Sequence, residues 1–198
     1  MYLQIPEGDF CGFIFDLDGT LVDTMPTHYI AWQAALRNAG LRGPLDEEYF
    51  YALAGVPSVR VAELLGSHHG LRVDPEKVTH EKEELYKASN EGLALILPVV
   101  EFARNAAKTH PVSVASGGTR DVVDSTLCKT GLLDLFPVIV TADDVIHGKP
   151  APDMFLLAAD LMKVEPQGCL VFEDGEPGIK AAAAAGMKSV FVPSRRSA

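Results

Sequence analysis

Residues 10–24, FCGFIFDLDGTLVDT, constrain this chain more than any other stretch. An almost unbroken apolar run over 10–15 delivers two aspartates, Asp16 and Asp18, and stops at Gly19. A short apolar run closed by glycine predicts a strand buried on both faces, as in the centre of a parallel sheet. Acids at the mouth of such a strand have lost much of their water, and an unpaired buried charge is costly. Asp16 and Asp18 therefore point to a bound cation, a catalytic task or both. The competing reading is a plain surface turn, because Asp and Gly are common turn residues.

Downstream of residue 98 the pattern alternates. Helices are predicted over 99–109, 119–129, 152–162 and from 177 to Gly186, with short apolar strands over 112–115, 138–141, 169–172 and 189–192. With 10–15 this makes an α/β chain whose five-stranded parallel core sheet carries helices on both faces. Between Thr24 and that region the period is helical. Pro26 suits a first helical turn and Gly40 a stop, so one helix covers 26–39. Further helices are expected over 46–54, 57–69 and 75–91, broken at Gly55, Gly66, Gly70 and Pro75, with no strand from 41 to 97. The expected domains are a core of residues 1–23 and 96–198 and a small α-helical cap inserted at 24–95. Its joints, over 22–25 and 92–98, are candidate hinges.

Composition narrows the partners. Of 198 residues 47% are hydrophobic and 22% charged, enough to bury a core. The 17 basic and 27 acidic residues leave a net charge of -10, which argues against general affinity for nucleic acid or an anionic membrane. Cys11, Cys128 and Cys169 are unevenly spaced among apolar residues and read as reduced core thiols. No signal-like or membrane-spanning stretch is evident, so the expected compartment is the cytoplasm.

Polar residues appear where the apolar runs end: Asp16 and Asp18, then Ser116, Lys149 beyond the third strand, and Glu173 with Asp174. In a parallel sheet these ends share one edge, where ligands bind. Three carboxylates and a carbonyl form a hard, oxygen-rich site suited to Mg2+. Glu173 and Asp174 could equally cap the helix opening near Pro177. Ser116, Gly117 and Gly118 offer a hydroxyl and backbone amides before a helix N-terminus, a local anion site, or else a tight turn. Lys149, in HGKPAPD, is either a solvated charge or the cation that relieves the clustered acids. His28 and Trp32 share a helix face that either packs or overlooks the aspartates.

The DLDGT stretch, Ser116 with its two glycines, the GKPAPD segment and the Glu173-Asp174 pair together resemble the motifs of the haloacid dehalogenase-like phosphatase superfamily, over essentially the whole chain. Within it the likeness is to the fructose-1-phosphate phosphatase and beta-phosphoglucomutase group. The resemblance implies a Rossmann-like core with a helical cap and an Mg2+-dependent phosphatase acting on a small sugar phosphate through an aspartyl-phosphate. It assigns Asp16 as nucleophile, Asp18 as general acid and base, Ser116 as phosphate contact and Lys149 as orienting cation. Metal ligands would be the Asp16 and Asp174 carboxylates and the Asp18 carbonyl, with Glu173 a ligand through water or a supporting partner. The Lys149–Pro150 bond is implied to be cis.

Substrate contacts are expected from His28, Arg60, Gly117 and Gly118. One departure concerns Arg60: the mutase relatives' phosphate-binding arginine aligns with Ser58, which weakens a sugar bisphosphate as partner. Gly175 and Glu176-Pro177 also depart from the usual pattern. The alternatives are a beta-phosphoglucomutase, a dehalogenase, which has no need of Asp18, and a non-catalytic binding protein. The expected state is a monomer.

Overall fold

The computed structural model describes residues 3–53, 56–89 and 93–193. Its strands and helices run in chain order as β1 (Gly12–Phe15), β2 (Val22–Asp23), α1 (Met25–Asn38), α2 (Glu47–Ala52), α3 (Ser58–His68), α4 (Pro75–Ala88), β3 (Ala94–Leu95), α5 (Leu97–Ala106), β4 (Val112–Ala115), α6 (Arg120–Thr130), β5 (Val138–Val140), α7 (Asp153–Met162), β6 (Cys169–Glu173), α8 (Glu176–Ala184) and β7 (Lys188–Phe191).

Five strands form one parallel sheet in the order β5-β4-β1-β6-β7. The first strand in sequence is thus the middle strand in space, and the chain winds outward from it in both directions. Such a reversal opens a crevice beyond the carboxyl ends of the central strands. Alternation along β1 divides the core. Phe13 and Phe15 face one layer with Leu170, Phe172, Val99 and Leu127. Ile14 faces the other with Val171, Met154, Phe155 and Ala181. A strand with an apolar layer on each side has no polar face, which is why residues 10–15 read as a continuous apolar run.

Helices α1 to α4 bury a separate core around Trp32, Leu36, Phe50, Leu65 and Val78. They connect to the sheet layer through β2 and β3, which pair antiparallel, Val22 opposite Leu95 and Asp23 opposite Ala94. This two-stranded ribbon corrects the expectation of no strand between 41 and 97. Two residues carry no periodicity, so only the pairing partner reveals them. Leu41 and Leu45 pack in the helical layer as expected of an insertion.

The cysteine reading is also corrected: Cys11 and Cys128 are exposed, and only Cys169 is a core thiol. Cys11 precedes β1 and Cys128 falls on the outer side of α6, so apolar neighbours in sequence did not mean burial. The expected break at Gly55, the helix ends at 54 and 91, the joint residue Gly92 and a frayed tail over 194–198 lie outside the described residues. No described helix is long and apolar enough to cross a membrane.

Phe15 is fully buried and stacks on Phe172 with ring centroids 4.8 Å apart, next to Phe102 and Phe136. Replacing Phe15 by Ala should cost about 3–5 kcal/mol of unfolding free energy, read from the urea midpoint, because a rigid aromatic cluster collapses poorly around a cavity.

Candidate active site

The chain leaves β1 in a tight turn. Asp16 N donates to Phe172 O at 3.0 Å, and the Leu17 carbonyl accepts from Leu21 and Val22, both at 3.0 Å. Gly19 has φ +87°, and a Cβ there would collide with the Asp174 carboxylate. Only glycine therefore lets the turn close against Asp174. A Cβ on Gly178, in the first turn of α8, would likewise strike Glu173. Asp16 and Glu173 are buried, and one oxygen from each of Asp16, Glu173 and Asp174 lies within 4.8 Å of the others.

Lys149 reaches into this group from the loop after β5, across a cis Lys149–Pro150 bond. Lys149 is 7% exposed, and its ammonium lies 2.6 Å from Asp16 Oδ1 and 2.6 Å from Glu173 Oε2. Burial alone would lower its pKa, but the two carboxylates outweigh it and hold Lys149 above the usual lysine range. The other Glu173 oxygen accepts from Gly175 N at 3.1 Å. Both Glu173 oxygens are thus engaged by the protein, which suits a carboxylate that positions Lys149. Gly175 is the N-cap residue of α8, so the Glu173 side chain serves the start of that helix as well as Lys149.

Charge does not balance here. One ammonium faces three carboxylates; burial and the neighbouring acids raise Asp16 well above the ordinary carboxylate range and push Asp174 up to about 7. Oxygen donors, excess negative charge and a glycine-lined cradle fit a hard divalent cation, with Asp16 and Asp174 as the side chains free to hold it.

Asp18 is placed differently. Its Oδ1 accepts from Thr24 Oγ1 at 2.6 Å and lies 3.1 Å from His28 Nε2, while Ser116 Oγ reaches Oδ2 at 3.4 Å. Thr24 is the N-cap residue of α1, yet its hydroxyl makes no capping bond. The helix forgoes a contact worth about 1 kcal/mol and the hydroxyl holds Asp18 instead. Burial would raise the Asp18 pKa, but at the acid pH where Asp18 titrates the charge and bond of a protonated His28, the Thr24 bond and the Lys82 charge bring it down to about 2. His28 itself is pushed down, by burial first and then by Lys82. Its Nδ1 is buried without a hydrogen-bond partner, as fits a neutral ring that donates through Nε2. The ring stacks on Tyr86 at 4.1 Å.

Ser116, fully buried at the end of β4, accepts from Gly118 N at 3.1 Å. Gly117 and Gly118 line the same cavity as the aspartates. That cavity, about 880 Å3 including its open mouth, is roofed by Trp32, Phe50 and Val61 of the helical layer. Of the expected site residues, Asp16, Asp18, His28, Gly117, Gly118, Lys149, Glu173 and Asp174 all border it. Ser116 and Arg60 do not: Ser116 is fully buried, and Arg60 is exposed and ion-paired with Glu63 at 2.5 Å, with Ser58 lining the cavity in its place. Ser58 and Arg60 stand two residues apart, about half a helical turn, so they face different sides of α3, a rotation that sequence spacing alone did not resolve.

Two residues went unread in the sequence. Lys82 is 4% exposed, with its ammonium 5.3 Å from the Trp32 ring centroid and 5.6 Å from that of Tyr86. Its neighbour Glu83 is half-buried and also lines the cavity. A signal did exist, since Lys82 stands between Val78 and Tyr86 at four-residue spacing, a lysine in the buried stripe of α4.

A doubly wound sheet with paired acids and a buried lysine at its switch point defines a class of α/β hydrolytic enzyme. The sequence pattern of the haloacid dehalogenase-like hydrolases matches residues 13–192, and the chain belongs to that family. It is 39% identical over 183 residues to the fructose-1-phosphate phosphatase YqaB of Escherichia coli (strain K12), covering 92% of this chain and 96% of the other. To the beta-phosphoglucomutase of Bacillus subtilis (strain 168) it is 28% identical, covering 90% and 81%. Among solved structures, CbbY from Rhodobacter sphaeroides in complex with xylulose-(1,5)bisphosphate superposes with a TM-score of 0.82 at 25% identity, covering 91% and 84%. The chain is an enzyme of the phosphatase type within this family, with phosphomutases among its relatives.

Because Asp174 has a higher pKa folded than unfolded, the metal-free native state binds more protons than the unfolded state above about pH 4. Stability of the protein in chelator should therefore fall as pH rises from about 4 to 7, the reverse of the usual carboxylate trend. Melting temperatures across that range check this, and saturating Mg2+ at pH 7.5 should restore the loss.

Proposed function

We propose that this enzyme is a Mg2+-dependent phosphatase that releases phosphate from a small sugar phosphate through an aspartyl-phosphate on Asp16. The observation that carries the reading is the buried Asp16–Lys149–Glu173 group with Asp174 beside it, opening into a cavity between the sheet edge and the helical layer. The relative named for fructose 1-phosphate, matched nearly end to end, supports the substrate class. Mg2+ held by Asp16, Asp174 and the Asp18 carbonyl would neutralise charge on the phosphoryl oxygens.

In the first step the Asp16 carboxylate attacks phosphorus and the bond from phosphorus to the sugar oxygen breaks. Lys149 fixes the orientation of Asp16 through Oδ1. Asp18 gives its proton to the departing sugar oxygen. Its bonds to Thr24 and His28 favour the carboxylate, so Asp18 takes up that proton as it turns from them toward a bound phosphate dianion, whose charge raises its proton affinity. In the second step Asp18 removes a proton from water, which attacks phosphorus and breaks the bond to Asp16. The Ser116 hydroxyl and the amides at Gly117 and Gly118 receive the phosphate oxygens. The helical insertion over 24–95 acts as the lid, swinging on the β2–β3 ribbon and excluding bulk water when shut. Lys82 and His28 meet the sugar from the lid side.

A phosphomutase would use the same aspartates and return the phosphoryl group to a sugar hydroxyl, and the beta-phosphoglucomutase relative keeps that reading in play. Supplying beta-glucose 1-phosphate with a bisphosphate primer separates the two: inorganic phosphate marks the hydrolase, glucose 6-phosphate the mutase. With fructose 1-phosphate and Mg2+, replacing Asp16 by Asn should lower phosphate release at least about 1,000-fold, since no other group can take its place as nucleophile. Retained turnover would reject the assignment. Lys82→Met keeps the apolar stem against Trp32 and Tyr86 but removes the charge. It should raise KM roughly 10- to 100-fold with little loss of melting temperature, because burial already disfavours the ammonium.

A further inference from the structure

Away from the nucleophile the described cavity wall is mostly apolar, with Ser58 and His28 as polar contacts, and its charged side chains are two adjacent residues of α4, Lys82 and Glu83. Around the whole cavity five carboxylates, Asp16, Asp18, Glu83, Glu173 and Asp174, stand against two ammonium groups, Lys82 and Lys149. Lys149 is committed to Asp16 and Glu173. Lys82 feels both Asp18 and Glu83. Of the nearby arginines, Arg60 pairs with Glu63, and Arg120 with Asp144 and the Ile139 carbonyl. Among the described lining residues Lys82 is therefore the one ammonium not held by Asp16 and Glu173, and the adjacent Glu83 sets a carboxylate beside the charge that a second phosphate would need.

Glu83 sits where the lid meets the core. It borders the cavity together with Gly117 and Gly118, beside the Thr119 side chain, and Asp143 adds negative charge from the core. A second anionic group on a substrate would therefore face acids from both layers. A neutral polyhydroxylated chain would find the opposite: a carboxylate with lone pairs for two hydroxyl donors, flanked by an ammonium that stabilises its charge.

We propose that Glu83 is a specificity-determining residue that restricts this enzyme to monophosphates whose far end is uncharged and hydroxylated, accepting hydrogen bonds from those hydroxyls and repelling a second phosphate. This rests on the phosphatase reading above and adds the charge state of the substrate's far end. The acid acts by discrimination, since a site rejects a competitor most effectively by a like charge placed against it.

Two matched pairs test it in the presence of Mg2+: fructose 1-phosphate against fructose 1,6-bisphosphate, and beta-glucose 1-phosphate against beta-glucose 1,6-bisphosphate. Within each pair the phosphate on the C1 oxygen is shared and the members differ only at C6. In the wild type kcat/KM for the monophosphate should exceed that for its bisphosphate by at least about 30-fold. Glu83→Gln should narrow the ratio by about 10-fold, mainly through a lower KM for the bisphosphate, and Glu83→Lys should narrow it further. A merely structural role would depress both members of a pair together and leave the ratio unmoved.

Phosphate release that needs Asp16 but is equal on both members of a pair, or a wild-type ratio unaltered in both Glu83 variants, overturns the inference and leaves the phosphatase reading standing. If no member of either pair yields phosphate, the reading and the inference fall together.

Discussion

Three charged side chains from three separate segments meet almost out of water: Asp16 from the end of β1, Lys149 from the loop after β5 and Glu173 from the end of β6. The ammonium is within 2.6 Å of each carboxylate, and removing it would leave acids that cannot all stay ionised. Much of the surrounding architecture serves this contact. Strand β1 lies between β4 and β6, so Asp16 and Glu173 emerge side by side. Gly19 and Gly178 leave room for carboxylates where any side chain would intrude. The remaining negative charge, concentrated on Asp16 and Asp174, gives the site its affinity for a hard cation and makes the metal-free protein uneasy above acidic pH.

The two aspartates one residue apart have different surroundings, which is what the proposed division of work between them requires. Asp16 is pinned by a lysine and crowded by acids, which suits a nucleophile fixed in place. Asp18 is held by hydroxyls and a neutral imidazole, contacts that can be given up one at a time. Thr24 and His28 belong to the start of α1, the first helix beyond the β2 crossing, so movement of the helical layer and the protonation of Asp18 are physically linked. Tyr86, stacked on His28 and bonded through its hydroxyl to Thr126 of α6, ties α4 to the same network from the core side.

In the proposed reading, recognition is divided between the layers. The sheet edge offers phosphate a hydroxyl, backbone amides and the cation site. The lid offers an apolar roof and the Lys82–Glu83 pair. Changing the residues of α4 would alter which sugar enters without touching the phosphoryl-transfer groups, as expected of a fold whose chemistry sits on rigid strand ends and whose selectivity sits on an insertion.

The five core strands were legible in the sequence because each is a short apolar run, four of them followed by polar residues, and a parallel sheet puts all such ends on one edge. That rule alone brought Asp16, Asp18, Ser116, Lys149, Glu173 and Asp174 to one place on paper. The β2–β3 ribbon escaped, since two-residue strands are defined by a partner more than 70 residues away along the chain. The lid residues escaped for a related reason: Arg60 and Ser58 differ by two positions on one helix, and only the rotation of α3 against its neighbours decides which faces inward. Lys82 stood in the buried stripe of α4, but a lysine there is ordinarily read as a stem lying along apolar surface with its charge in water. Local pattern thus determined the sheet and the acids at its rim, where periodicity and burial coincide. Tertiary packing alone decided which cap side chains close over them, because that depends on how one helix sits against another.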